Sequence, residues 1–240
     1  MIALFTDYGL QGPYIGQVLS VLSRIAPEEK VITLFSDLPR QNQKAAAYLL
    51  PRCIRSFTEE TIFFCVVDPG VGSFRDDPVV LRVDQHWYVG PNNGLFNLLV
   101  RHAGSVECWK INWRPEKLSK SFHGRDLYAP ICGMIANGLD IPGEKIDWED
   151  NYGWPDNLHQ VIYIDAFGNC MVGIGIDNED VQKDITIHQH VVPHATTFSD
   201  VPTGEAFWYE NSLGLMEIAV NQGNAQAKLN ISVGDVITVQ

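Results

Sequence analysis

Two acidic side chains come directly after stretches that have the composition of buried β-strands. Asp7 follows residues 2–6 in the string FTDYG, and Asp68 follows residues 61–67 in FFCVVDPGVGS. Ligands of open α/β sheets bind in the crevice outside the carboxyl ends of the strands, so we expect a binding site at these positions. A carboxylate there can accept two hydrogen bonds from a vicinal diol, as acidic residues do with ribose hydroxyls. The alternative for Asp7 is a capping or turn residue.

Three further polar residues of the first 140 could join such a site. Arg75 follows Asp68 by seven residues and could fold back as its partner, although an exposed ion pair would add only ~1 kcal/mol or less. His123, in SFHGRD, precedes a helical pattern, and the positive end of a helix dipole favours the neutral imidazole that acts as a base. Asn93, in GPNNG, could bind a polar ligand or simply form a turn.

Two loops near the C-terminus carry similar polar groups. The first, IDAFGN, contains Asp165 and Asn169, and the second, NSLGLMEIA, contains Ser212. Carboxylate, amide and hydroxyl groups are what a zwitterionic ligand carrying a base would require, although each loop can also be an ordinary turn.

Three histidines raise the alternative of a metal site. His188 and His190 would face the same side of a strand predicted at 185–192, with His194 close by. No carboxylate or cysteine lies at a helpful spacing, so an exposed strand edge explains them at least as well as a zinc site.

Motifs for nucleoside triphosphates and for serine hydrolases are also missing from the sequence.

The pattern of apolar residues predicts two domains of different class. Strands alternate with helices in residues 1–146, which predicts an α/β domain with a largely parallel sheet. Residues 147–158 are acidic and rich in turn formers, as in a linker. Residues 159–240 predict a smaller all-β barrel-like domain. The predicted strands are 2–6, 31–35, 61–67, 79–83, 87–89, 106–112, 160–164, 171–176, 185–192, 206–210, 216–220 and 236–239, and the predicted helices are 14–25, 41–55, 95–102 and 124–137.

Composition limits the partners and the compartment. The 240 residues carry a formal charge of −12, from 17 basic and 29 acidic side chains, which argues against a nucleic-acid partner. The apolar stretches are too short to cross a membrane, and the N-terminus has no basic region typical of a signal peptide. Five cysteines without a CxxC pair favour buried thiols in a reducing cytoplasm.

Six of these motifs, in this order, resemble those of the S-adenosyl-L-methionine hydrolases, which are also called SAM hydroxide adenosyltransferases and are related to the fluorinases and chlorinases. The motifs are FTDYG, VVDPGVGS-x-R, GPNNG, FHGRD, IDxFGN and NSxGxxEIA, and together they span the chain. The resemblance implies an N-terminal α/β domain, a C-terminal β-barrel, and a homotrimer that holds S-adenosyl-L-methionine (SAM) between subunits. SAM would be the substrate, with no cofactor and no metal.

The resemblance also implies roles for individual residues. It makes Asp68, Arg75 and His123 the groups that activate water, and it makes Asp7 the ligand of the ribose diol. Asn169 would contact adenine, and Asp165 and Ser212 would contact the methionine end. Asn93 belongs to a shared motif and is counted with the substrate-binding residues.

Departures from the family pattern concern two positions. Asp37 stands where many relatives have a histidine, and Leu213 stands where the halogenating relatives place an arginine. The FHGRD string resembles the hydrolase version, which favours water over halide as the nucleophile. The implied activity is hydrolysis of SAM to adenosine and L-methionine. The alternatives are a SAM-binding sensor without turnover, a SAM-dependent halogenase, and a metal-dependent hydrolase built on the C-terminal histidines.

Overall fold

The chain divides into two compact units. The computed structural model describes residues 1–73, 77–176 and 183–240. The first unit is Met1–Gly153 and the second is Trp154–Gln240. The predicted bounds of 1–146, 147–158 and 159–240 stay a prediction.

The first unit is an α/β domain built on one seven-stranded sheet. Its strands are β1 (Ile2–Thr6), β2 (Val31–Phe35), β3 (Ile62–Val66), β4 (Pro78–Val83), β5 (His86–Pro91), β6 (Val106–Ile111) and β7 (Gly143–Ile146). Its helices are α1 (Tyr14–Ile25), α2 (Gln43–Cys53), α3 (Asn97–Arg101) and α4 (Ala129–Ala136). Strands β1 and β3 are completely buried, as expected for apolar runs covered on both faces.

The sheet is mixed, so the prediction of a largely parallel sheet was wrong. Its strand order is β2-β1-β3-β5-β4-β6-β7. The pairs β1–β2, β1–β3 and β3–β5 are parallel, and the pairs β4–β5, β4–β6 and β6–β7 are antiparallel. The two residues between β4 and β5, Asp84 and Gln85, leave room only for a hairpin, and Asp84 has the left-handed φ of 52° that such turns use. Strand β7 was not predicted.

The predicted helix at 124–137 begins with an unusual turn. Gly124–Tyr128 forms a π-helical turn, and α4 continues directly from it. Isolated π turns occur mostly inside α-helices and often at functional sites. This one begins directly after His123.

The described residues of the second unit form two antiparallel sheets. One has the order β12-β13-β9-β8 and the other has the order β11-β10-β14. Its elements are β8 (Leu158–Ile164), β9 (Cys170–Gly175), β10 (Ile185–Ile187), β11 (His190–Val192), β12 (Ala206–Glu210), β13 (Leu215–Val220), α5 (Ala225–Leu229) and β14 (Ile237–Val239). The single strand predicted at 185–192 is wrong, because a turn at His188, with φ of 52°, divides it into the hairpin β10–β11. Helix α5 was not predicted.

Each unit has its own apolar core. In the first unit, residues of β1, β3, α1 and α4 pack together, and in the second the core lies around Trp208 and residues of β9, β10 and β13. All five cysteines are buried free thiols, as predicted. Burial raises the pKa of the Cys108 thiol to about 11, as it does for a structural rather than a reactive cysteine. No helix in the described ranges is long and apolar enough to cross a membrane.

Candidate active site

A cavity of about 400 Å³ lies at the carboxyl ends of β1 and β3. These strands pair in parallel, with Thr6 opposite Val66, so that the residues following them meet at one edge of the sheet. Asp7, Asp68 and His123 all line the cavity. The structure thus brings together three of the predicted site residues, and the volume is that of a small-molecule site.

Asp7 is held by the loop between β2 and α2. Its Oδ2 accepts a hydrogen bond of 2.8 Å from the backbone N–H of Gln41, a residue with φ of 57°. Burial raises the pKa of the Asp7 carboxyl, and the Gln41 hydrogen bond and the charge of Arg40 act in the opposite direction. The carboxylate is therefore oriented at the cavity wall before any ligand binds.

Asp68 begins a tight turn that contacts the loop before His123. Its Oδ1 accepts a hydrogen bond of 3.0 Å from the Gly70 N–H. Gly72 has φ of 79°, and a Cβ there would overlap the carbonyl oxygen of Lys120. The glycine is required both for its conformation and for this close approach, which brings the Asp68 turn beside the His123 loop. Arg75 lies outside the described residues.

His123 stands at the start of the π turn and is partly buried. Its pKa is lowered chiefly by burial and secondly by the charge of Arg114, and Asp126 opposes the shift. The expected preference for the neutral imidazole agrees in direction with this shift. The largest cause of the shift is desolvation of the imidazole by burial. A neutral imidazole at the cavity wall can accept a proton.

An aromatic wall completes the cavity and was missed in the sequence. Tyr8, Tyr14 and Phe122 line it, with ring centroids 5.5 Å apart for Tyr8 and Phe122 and 5.2 Å apart for Tyr14 and Phe122. A Cβ at Gly124 would overlap the hydroxyl of Tyr8, so this glycine makes room for the ring. The available signal was that both FTDYG and FHGRD carry an aromatic residue beside a polar one.

Asn93 supports the cavity from behind. Its side chain is only 1% exposed and it is not among the residues that line the cavity. Its Nδ2 donates to the carbonyl of Val67 over 2.8 Å, and its Oδ1 accepts from the N–H of Leu95 over 3.4 Å. The amide thus fixes the backbone directly before Asp68.

The remaining predicted residues share a cavity of about 900 Å³ in the second unit. Asp165, Asn169 and Ser212 all line it. Asp165 Oδ1 accepts from the N–H groups of Phe167 and Asn169 over 2.9 and 2.8 Å, and its Oδ2 accepts from Asn169 Nδ2 over 3.3 Å. The carboxylate therefore shapes its own loop, while Ser212 is exposed on the other one.

A buried carboxylate fixes the Ser212 loop and was also missed. Glu217 is 3% exposed, accepts from the Tyr209 hydroxyl over 2.6 Å and accepts from Asn211 Nδ2 over 2.7 Å. Asn211 Oδ1 in turn accepts from the N–H groups of Leu213 and Leu215 over 2.9 and 3.0 Å. These two backbone amides are therefore already engaged within the loop.

The histidines considered as metal ligands do not come together. His188 Nε2 lies 3.0 Å from Asp235 Oδ2, while His194 packs on the ring of Trp208 with centroids 4.6 Å apart. Because of the turn at His188, the premise that it shares a strand face with His190 fails. Among the residues that the structure describes, no group of three histidine, cysteine or acidic side chains could hold a metal ion.

Comparison with known proteins identifies the family of this chain. The profile of the SAM hydroxide adenosyltransferase N-terminal domain matches residues 2–144, and that of the C-terminal domain matches residues 159–238. This chain belongs to the SAM hydroxide adenosyltransferase family. The family resemblance that the six motifs predicted is thereby confirmed.

Several known proteins are similar to this family member along almost their full length. The (R)-S-adenosyl-L-methionine hydrolase of Thermus thermophilus is 32% identical over 252 residues, which cover 97% of this chain and 96% of that protein. The (R)-S-adenosyl-L-methionine hydrolase of Methanocaldococcus jannaschii is 30% identical, with 100% and 95% covered. The crystal structure of an uncharacterized conserved protein from Thermotoga maritima matches with a TM-score of 0.88 at 29% identity, covering 100% of this chain and 99% of that one.

Proposed function

We propose that this protein hydrolyses SAM to adenosine and L-methionine by attack of water at the ribose C5′ carbon. The observation that carries the proposal is the joint lining of one cavity by Asp7, Asp68 and His123 in a chain that belongs to the SAM hydroxide adenosyltransferase family. Relatives that match over nearly the full length bear the name (R)-S-adenosyl-L-methionine hydrolase.

The reaction needs an oriented and activated water more than it needs an acid. Methionine leaves as a neutral thioether, so no group has to protonate it, and the proposed reaction needs no cofactor. The water must lie in line with the C5′–S bond. We assign its proton to His123, because burial keeps this imidazole neutral and able to accept. General-base help of this kind is worth ~10²–10⁴-fold in rate.

We assign the remaining roles in the reaction to Asp68, Arg75 and Asp7. Asp68, oriented by the Gly70 N–H, would hold the water against C5′. Arg75 cannot be a base, because a guanidinium keeps its proton, and we propose that it holds Asp68 and stabilises developing hydroxide charge. Asp7, already oriented by the Gln41 N–H, would bind the ribose diol. Asn93 would act indirectly, by fixing the backbone before Asp68.

The second unit would bind the two ends of SAM. We propose that Asn169 contacts adenine and that Asp165 and Ser212 contact the methionine end. All three line one cavity, and Asp165 Oδ1 already accepts two backbone N–H groups, which supports a preformed loop. Leu213 offers no cation for the methionine carboxylate, and its own N–H is bound to Asn211.

We further propose a homotrimer with the site between subunits. Each unit carries only part of the residues assigned to SAM. Each cavity also has an exposed apolar side chain, which is Leu10, next to the lining residue Gln11, in the first unit and the lining residue Phe167 in the second. Leu10 is 79% exposed and Phe167 is 78% exposed. We propose that another subunit covers these two side chains in the trimer. The buried thiols are consistent with a cytoplasmic protein.

A closed barrel in the second unit is the proposed arrangement of its two sheets. Gln160 of β8 forms a bridge with Val236, directly before β14. On the other side, His194, shortly after β11, forms a bridge with Trp208 of β12. These two links join the outer strands of one sheet to those of the other, which supports closure. We keep 147–158 as the linker between the domains.

Product analysis tests the proposed activity. Purified protein incubated with SAM is expected to release adenosine and methionine in equal amounts, as measured by chromatography with mass detection. Binding of SAM without any product would contradict hydrolysis and favour the sensor. Formation of 5′-chloro-5′-deoxyadenosine in added chloride would favour the halogenase, and activity lost on chelation would favour a metal-dependent enzyme.

A further inference from the structure

An ion pair between neighbouring residues holds the segment that carries His123. Arg125 binds Asp126 through both ends of its fork, with Nε 2.6 Å from Oδ1 and Nη2 2.9 Å from Oδ2. Asp126 Oδ2 also accepts a hydrogen bond of 2.9 Å from the Ser119 N–H. The carboxylate thus joins the loop before His123 to the π turn after it.

The same pair is anchored to the neighbouring helix and ring. Arg125 Nη1 donates to Gln17 Oε1 on α1 over 3.2 Å, and its guanidinium lies over the Phe122 ring, 5.4 Å from the centroid. The backbone N–H of Asp126 donates to the carbonyl of Phe122 over 3.4 Å. His123 is therefore enclosed by contacts on both sides along the chain.

We infer that Asp126, bound by Arg125 through two hydrogen bonds, is a positioning residue that holds His123 at the cavity wall. The inference rests on the proposed function, since it concerns the base of that reaction. Neither side chain lines the cavity, so both act through the segment that they hold. We name the pair Arg125–Asp126 the His123 clamp.

The His123 clamp differs from the exposed ion pairs of the same unit. The Asp126 side chain is 16% exposed and that of Arg125 is 35% exposed, whereas Lys145 and Glu107 are 60% and 40% exposed. Exposed pairs contribute little because solvent screens them and their side chains stay mobile. A bidentate pair that also binds Ser119 and Gln17 has a fixed geometry, which is what a positioning role requires.

Two charged side chains near His123 shift its pKa in opposite directions, so the inference predicts the direction in which each substitution moves that pKa. Arg114, from the segment after β6, lowers the pKa of His123, and Asp126 raises it. Asp7 and Asp68 line the same cavity. Replacing Asp126 by Asn removes a negative charge and is expected to lower the pKa of His123 further. Replacing Arg114 by Gln is expected to raise it.

The experiment measures adenosine release and the NMR titration of the His123 imidazole in Asp126→Asn. His123→Asn identifies the resonance, and Glu107→Gln, which breaks the exposed pair, serves as the matched control. We expect Asp126→Asn to lower kcat about 10–100-fold at nearly unchanged KM, as misplacement of a reacting group does. We also expect it to move the His123 titration to lower pH, and Arg114→Gln to move it to higher pH. Glu107→Gln should change neither quantity.

Unchanged kcat together with an unchanged His123 titration in Asp126→Asn would overturn the inference that Asp126 positions His123. Should that variant fail to fold, Arg125→Gln carries the test, because it keeps the Asp126 charge but removes the fork. Its kcat should fall with KM nearly constant, and wild-type kcat would contradict the inference. If the wild-type protein releases no adenosine, the proposed function fails, while the two titrations still decide whether Asp126 acts on His123.

Discussion

His123→Asn is expected to lower kcat for adenosine release by ~10²–10⁴-fold, the usual contribution of a general base. Asparagine keeps the approximate size of the side chain but cannot take the proton. Burial lowers the pKa of His123 below its ordinary 6.5. The wild-type rate should therefore hold at neutral pH and fall in acid only as pH drops through that lowered value, because protonated imidazole is no longer a base. Steady-state rates across pH check both expectations.

Comparison with Asp68→Asn identifies the base. If His123 takes the proton, the acid limb of the rate profile disappears in His123→Asn and persists, at a lower rate, in Asp68→Asn. An acid limb that survives in His123→Asn and vanishes in Asp68→Asn would contradict our assignment and make Asp68 the base. Gln85→Ala, at the remote β4–β5 turn, is the control and should leave kcat unchanged.

Gly124→Ala is the second substitution for which we expect a large effect. The new Cβ would overlap the hydroxyl of Tyr8 and touch its ring. Because the ring is packed against Phe64 and Phe122, it cannot easily move away. Overpacking of this kind costs about 1–3 kcal/mol of unfolding free energy. We also expect kcat/KM to fall about 100-fold, because His123 directly precedes Gly124 and would be displaced.

Two further variants separate the overlap from a general effect of alanine. Gly16→Ala places the same change in α1, where nothing lies within 4 Å of the new Cβ, and should stabilise the protein by about 0.5–1 kcal/mol. Tyr8→Phe removes the overlapping hydroxyl, so the double variant Tyr8→Phe/Gly124→Ala should recover part of the lost stability. Denaturant unfolding measures the unfolding free energies of Gly124→Ala, Gly16→Ala and the double variant. Equal stability of Gly124→Ala and wild type would refute the packing argument.

The two aspartates of the cavity could be predicted from the sequence because their positions depend on where two strands end. Asp7 and Asp68 each follow an apolar run, and parallel pairing of the two runs, with Thr6 opposite Val66, brings their carboxyl ends to one edge. The direction of the later strands was harder to predict. A two-residue connection at Asp84 requires an antiparallel hairpin, and this local signal outweighs the alternation of strands and helices.

The features that escaped prediction depend on contacts between distant residues. Whether Gly124 is needed depends on the position of the Tyr8 ring, and spacing along the chain does not reveal that the two meet. The sequence left open whether Asn93 binds a ligand or forms a turn, and only the folded structure shows its amide bound to the carbonyl of Val67. His188 adopts a left-handed φ of 52°, but residues 185–192 contain no glycine, proline, asparagine, aspartate or serine to mark a turn, so the sequence resembles one strand.

A single-turnover reaction in water enriched in oxygen-18 tests the central claim most directly, that water attacks the C5′ carbon of SAM. With protein in excess over SAM, mass spectrometry of the adenosine is expected to show the label in its 5′-hydroxyl from the first turnover. Unlabelled adenosine would contradict the account, because the oxygen would then come from the protein, as in attack by the Asp68 carboxylate followed by hydrolysis of the ester.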